Sequence, residues 1–266
     1  MFKGYGFFDY KYDIPNYNEY DYNHFGRWLY LIIGVVLITA LLIIFRKASR
    51  KTVLTYLRIM SLCMIGMYLT KTIWESVHDI KRFGEFNLYL LPFDTCSIIM
   101  WAGLAAGFGK GRLKTLGECW LISGGIVGGF SAMLFLSALK YYPFFTFGAF
   151  YSMIWHIVMV FTGLWLVVTV YVEPNFKSLM YGFVAHMMIS VPIIILDYAL
   201  KLDFMMYYGA GGIPLIESLA DILIAHKLRF FVTIIVSIVY FGVFAFIIYL
   251  MHFIKRLIMH FKAKKA

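Results

Sequence analysis

Charge is what this chain has least of. Only 14% of its 266 residues are Asp, Glu, Lys or Arg, 62% are hydrophobic, and mean hydropathy is +0.80. Such a composition excludes a single water-soluble domain and indicates an integral membrane protein. Acids are scarcer than bases, 14 against 24, which leaves a formal charge of +10. The basic residues sit in short clusters between apolar segments and no recognition motif accompanies them, so no nucleic-acid partner is expected. Cysteine is scarce too. Cys63, Cys96 and Cys119 lie within or at the edge of apolar segments, which argues against a disulfide framework. There is no HExxH and no paired-Cys motif, so neither a metal nor a cofactor is expected. Repeats and low-complexity linkers are missing as well, which leaves one domain. The first 25 residues lack a basic region followed by an apolar stretch and a cleavage site, and are not expected to be a signal peptide.

What the chain does have is apolar stretches of about 20 residues, the length that crosses a bilayer. They fall at residues 28–45, 53–74, 88–108, 118–139, 149–172, 178–199 and 228–254. The expected fold is all-α, a polytopic membrane bundle of seven transmembrane helices. A Tyr-rich arm, residues 1–27, is expected to be exposed; residues 28–254 form the membrane domain, and residues 255–266 a basic tail. Lys and Arg cluster at residues 46–51, at 110–114 and in the tail, whereas the alternate loops are nearly charge-balanced. That bias predicts the N-terminus outside and the C-terminus in the cytoplasm. The glycines at 103, 107, 124, 125, 128 and 129 are spaced for close helix approach. The YYGAGGIPLIE stretch around Gly209, Gly211 and Gly212 reads as a re-entrant or interfacial element in an outer loop.

The stretch LPFDTCSIIMW, residues 91–101, places an acid, a hydroxyl and a thiol inside the third span. An ionisable residue in a membrane segment is by default a functional candidate. Counting about 1.5 Å per residue puts Asp94 and Cys96 roughly 9 to 12 Å below the outer interface and His156 at about 10 Å. Asp197 falls near the outer end of the sixth span and Glu75 at the outer end of the second. His186 lies nearer the inner half with no role assigned, and Arg58 is close enough to an end to snorkel. The seventh span has no mid-membrane Lys for a Schiff base, which argues against a retinal-type receptor.

Two arrangements are open. Cys96 can be a nucleophile with His156 as general base, since a thiol reacts only as thiolate and a neighbouring imidazole can take its proton. On an ideal helix Asp94 and Cys96 point about 200° apart, so both cannot face one pocket squarely. In the other arrangement Asp94 pairs with His156, and Cys96 is an apolar filler.

The runs LPFDTCSI, SMIWH and ILDYALKLDFMMY resemble the YwaF-like family of bacterial integral membrane proteins, over about residues 55 to 220. The resemblance implies a protein of the bacterial cytoplasmic membrane that carries out a lipid-acyl reaction, because eukaryotic relatives of the family are regarded as phospholipid acyltransferases. It matches His156 to the family histidine and Cys96 to its cysteine. The chain departs at Asp94, where members usually show His, and at Asp197 and Asp203, where they show Asn.

Two functions therefore stand. One is fatty-acyl transfer or ester hydrolysis near the outer leaflet, using Cys96, His156 and Asp94 on an acyl-lipid substrate. The other is binding or transport of a small polar or cationic solute, with Asp94, Asp197 and Glu75 as the site, since intramembrane acids commonly line such routes; Asp203 is a further substrate-binding candidate beside Asp197 and Glu75. Membrane lipids are expected partners in either case.

Overall fold

The computed structural model describes residues 5–14, 24–135, 142, 145–210 and 214–263. Within them the chain is helical, and seven helices or helix pairs are long and apolar enough to cross a membrane: Trp28–Phe45, Arg50–Phe83, Leu88–Phe108, Gly111–Leu134, Phe147–Val168, Phe176–Leu200 and Arg229–Leu257. The chain is a multi-pass membrane protein. Its outer wall is built of exposed Ile, Val, Leu and Phe, such as Val36, Ile44, Ile195 and Ile238, the surface a lipid tail would cover.

The first span is α1 (His24–Phe45), and it packs on α6 (Phe147–Val168). The second is α2 (Arg50–Phe83), capped by the Ser49 side chain at its start and closed by Gly84 in the left-handed region at φ 78°. With 34 residues α2 is about 51 Å long. It runs nine residues past the expected end at residue 74, so Glu75 lies within the helix rather than at its tip.

The third span departs most from expectation. It is not one helix. After 3-10 turns at Leu88–Leu90 and Thr95–Ser97, a true helix, α3 (Ile98–Phe108), covers only 11 residues. Pro92 supplies the reason, since it lacks an N–H and drives the residue before it out of the helical region. Leu91 is accordingly extended, at φ −72° and ψ 148°, and Asp94 is extended at φ −76° and ψ 156°. At about 16 Å, α3 covers roughly half a hydrocarbon core, and the break at residues 91–97 takes up the first half of the span Leu88–Phe108. The ideal-helix angle between Asp94 and Cys96 does not apply, because these residues are not on an α-helix.

The fourth span joins α4 (Gly111–Trp120) to α5 (Ile126–Phe135) through a π-helical turn at Leu121–Gly125. The glycines do the packing expected of them. A Cβ on Gly107 would stand 3.1 Å from the Arg58 backbone, and one on Gly129 would stand 2.9 Å from the His156 carbonyl oxygen. The sixth span is α7 (Phe176–Leu200), started by an Asn175–Ser178 capping box and ended by Lys201 at φ 55°. The short α8 (Pro214–Ala225) lies against the last span, α9 (Arg229–Ala263). Gly211 and Gly212, like residues 136–139 of the expected fourth span, lie outside the described residues.

The bundle has two unlike ends. One carries Arg50, Lys114, Glu173 and Lys255; Arg50 Nη2 donates to the Tyr171 carbonyl at 3.2 Å, and Lys255 pairs with Glu173 at 2.8 Å. At the other, residues 5–14 of the N-terminal arm dock through two buried side chains, while Phe7 and Phe8 stay exposed. Tyr10 is 1% exposed and Ile14 2%, because Tyr10 inserts between Trp74, His78 and Tyr142 and finds a buried acceptor on α2.

Candidate site at the broken third span

Three elements build the site: the break, the middle of α2 and the start of α6. At the break, Ser97 Oγ donates to Asp94 Oδ2 at 2.9 Å. Asp94 precedes the N-terminus of α3, where the helix dipole favours a carboxylate. The break is held open from both sides. Tyr68 of α2 donates to the Leu90 carbonyl at 2.6 Å, and Trp155 of α6 donates through Nε1 to the Cys96 carbonyl at 3.3 Å. Asp94 and Cys96 themselves are half-buried.

On α2, Lys71 and Glu75 are one turn apart and form an ion pair at 2.8 Å, and Glu75 also accepts from the Tyr142 hydroxyl at 2.8 Å. Glu75 is 4% exposed. Both Lys71 and Glu75 lie within electrostatic reach of Asp94. The Lys71 ammonium sits over the Tyr151 ring at 5.5 Å, Tyr151 stacks on Trp155 at 5.3 Å, and Tyr68 meets Trp155 at 6.0 Å. Two carboxyls and one ammonium thus lie beside three aromatic rings at the break. One turn further along α2, Asp79 accepts from Tyr10 at 2.6 Å and from Asn87 at 3.2 Å.

His156 stands apart from this group. Its Nδ1 contacts the Ser152 carbonyl at 2.7 Å and the Ser152 hydroxyl at 3.2 Å, both on its own helix. Among the described residues no hydrogen bond joins His156 to Cys96 or to Asp94. Equal depth does not make neighbours, because His156 turns about 100° away from Trp155, the residue that reaches the break.

Asp197 and Asp203 form a second group, with the segment after α7. Asp197 is fully buried; its Oδ1 accepts from the Phe204 N–H at 3.2 Å, and Asp203 lies close enough to act on it electrostatically. Asp203 Oδ1 accepts from the Tyr208 N–H at 2.9 Å. Glu75 and Asp94 therefore belong to one site and Asp197 and Asp203 to another. Tyr240 on α9 lies between them, its hydroxyl 2.7 Å from that of Thr95 at the break and within electrostatic reach of Asp203.

Sequence reasoning passed over Lys71, Tyr68, Tyr151, Trp155 and Tyr240. Only the Lys71–Glu75 pair carried a signal, its one-turn spacing. Among the described residues no group of three or more His, Cys, Asp or Glu could hold a metal ion.

No protein-family model, curated protein or solved structure matches this chain.

Proposed function

We propose that the protein binds or transports a small cationic, polar solute at the broken third span. The observation that carries this is the break itself, with Asp94 at the N-terminus of a half-length helix and the Lys71–Glu75 pair beside it. Non-helical backbone at membrane depth is tolerated only where it is buried in protein or lines a water-filled cavity. Discontinuous helices of this kind form the substrate and ion sites of many transporters. Two carboxyls against one ammonium leave an excess of negative charge, and the faces of Tyr68, Tyr151 and Trp155 add cation–π attraction of about 0.5 to 2 kcal/mol.

The acyl-transfer reading, implied by the YwaF-like resemblance, draws less support. It needs His156 to take a proton from Cys96, and His156 bonds instead to Ser152.

Cys96 offers a direct test, because its thiol lies within the break. In a variant with Cys63→Ala and Cys119→Ala, Cys96 is expected to react with the trimethylammonium-ethyl methanethiosulfonate reagent about tenfold faster than with the sulfonate-ethyl one, a bias of about 1.4 kcal/mol. Each rate is divided by that of a free thiol in solution. Asp94→Asn should remove most of the bias, and tetramethylammonium chloride should protect Cys96. An inert Cys96, or one that shows no charge preference, overturns the reading. Labelling by an acyl-lipid iodoacetamide probe that disappears with His156→Ala would favour acyl chemistry instead.

A further inference from the structure

Five buried side-chain atoms lack a hydrogen-bond partner among the described residues, and three of them, His186 Nδ1, Asp197 Oδ2 and Arg229 Nε, belong to residues that border one seam of the fold. It is the seam where α7, α9 and residues 201–210 meet. His186 and Asp197 are both 0% exposed. Proteins rarely leave such atoms unpaired, and ordered water making two to four bonds is the usual remedy.

Polar side chains recur along the seam among buried Met205, Val236 and Phe244. At the end that carries the arm, the Tyr198 hydroxyl lies 2.9 Å from that of Thr233, which also donates to the Tyr207 carbonyl at 3.0 Å. Ser237 follows one turn along α9, its hydroxyl on the Thr233 carbonyl. Deeper, Tyr207 Oη lies 3.1 Å from His186 Nε2, and the Tyr240 ring packs 4.4 Å from the imidazole. Tyr240 donates to the Met205 carbonyl at 3.4 Å and meets Thr95 at 2.7 Å, which brings the seam to the break. Ser190, one turn along α7 from His186, is also fully buried.

Several titratable or charged groups belong to the elements around His186 and Asp197. They are Tyr198 on α7; Lys201, Asp203, Tyr207 and Tyr208 on the segment; Arg229 and Tyr240 on α9; and Asp94 and Cys96 at the break. The Arg229 guanidinium is taken up by the Tyr208 ring at 3.8 Å.

We propose that this seam holds a file of water molecules that gives water and protons a route from the arm end of the bundle to the third-span break. The unpaired atoms of Asp197, Arg229 and His186 mark where waters sit, and the Tyr240–Thr95 pair is the inner end. Hydration of the seam is independent of what the break binds.

Two measurements on the full chain test it. In a background with all three cysteines changed to Ala, Ser237→Cys is compared with its lipid-facing neighbour Ile238→Cys for alkylation by iodoacetamide. The thiolate forms the S–C bond, iodide leaves and the thiol proton passes to water, so the reaction needs a wet site. Ser237→Cys should react about tenfold faster or more; equal rates overturn the proposal. If Ser237→Cys does not fold, Ser190→Cys replaces it. In the wild-type protein, radiolytic hydroxyl radicals generated from bound water should oxidise Met205 and Tyr207 well above Met159. Met205 and Met159 are both 0% exposed, and Met159 packs against Gly128 and Gly129 in the apolar core. Equal oxidation of the two methionines overturns the proposal, whatever solute the protein carries.

Discussion

Tyr10 donates its phenol proton to Asp79 at 2.6 Å across 69 positions of sequence, and both side chains are almost fully buried. This bond pins the N-terminal arm to α2 one turn beyond Glu75, so the arm forms part of the wall on that side of the site. Burial and the Asp79 carboxyl together hold the Tyr10 phenol far above its usual pKa.

Tyr10→Phe keeps the ring between Trp74, His78 and Tyr142 and removes only the donor. Asp79 then keeps Asn87 alone. A lost hydrogen bond to a carboxylate costs about 1.5 to 3 kcal/mol. The thermal midpoint of the detergent-purified protein should fall accordingly. The pH dependence has a definite sign. A group whose folded pKa is raised contributes stability that is complete below its unfolded value, about 10, and is lost as pH rises beyond it. Wild type should therefore lose more stability than Tyr10→Phe between about pH 9 and pH 11. Parallel losses would mean that the bond does not hold the arm.

The seven spans were legible because hydropathy and length alone decide them, and each expected span falls on a span of the structure. Hydropathy does not report whether a span is one helix. Residues 88–108 are apolar enough throughout, and the break turns on the local effect of Pro92 on Leu91. Depth could be counted, which put Asp94, Cys96 and His156 level. Azimuth could not, because facing is set by packing of the kind that brings Trp155, and not His156, to the break. The burial of His186 was likewise illegible, since it depends on Tyr207 and Tyr240, which follow it by 21 and 54 positions.

Glycine spacing, by contrast, can be tested position by position. Gly129→Ala would put a Cβ 2.8 Å from Val160 Cγ2 and 2.9 Å from both the His156 carbonyl and Met159 Cβ. A backbone carbonyl, a β-carbon and the γ-carbon of a β-branched valine leave little to give, so α5 and α6 must move apart. The expected cost is about 1 to 3 kcal/mol. Gly242 lies in α9 with nothing within 4 Å of an added Cβ. Gly242→Ala should be neutral or stabilise by up to about 1 kcal/mol, through helix propensity alone. Thermal midpoints of the two variants, measured side by side, check the contrast, and a Gly129→Ala as stable as wild type would remove the packing account of these glycines.

The Lys71–Glu75 pair links stability to the site. Glu75 has Tyr142 on one oxygen and Lys71 on the other, and its side chain is 5% exposed where that of Lys71 is 26% exposed. Removing one partner of a buried pair costs about 3 to 5 kcal/mol because a charge is left unmatched. The partial exposure of Lys71 lets water replace some of its interaction, so Lys71→Ala should cost about 2 kcal/mol. Adding Glu75→Gln to Lys71→Ala removes the orphaned charge and should recover most of that loss, which a merely spacing role for Lys71 does not predict. The same substitution acts on the break, since Lys71 opposes the negative charge of Asp94. Lys71→Ala should therefore speed the reaction of Cys96 with the cationic thiol reagent relative to the anionic one, and the double variant should bring the ratio back towards wild type. A ratio unmoved by Lys71→Ala would separate the ion pair from the site and leave Asp94 to act alone.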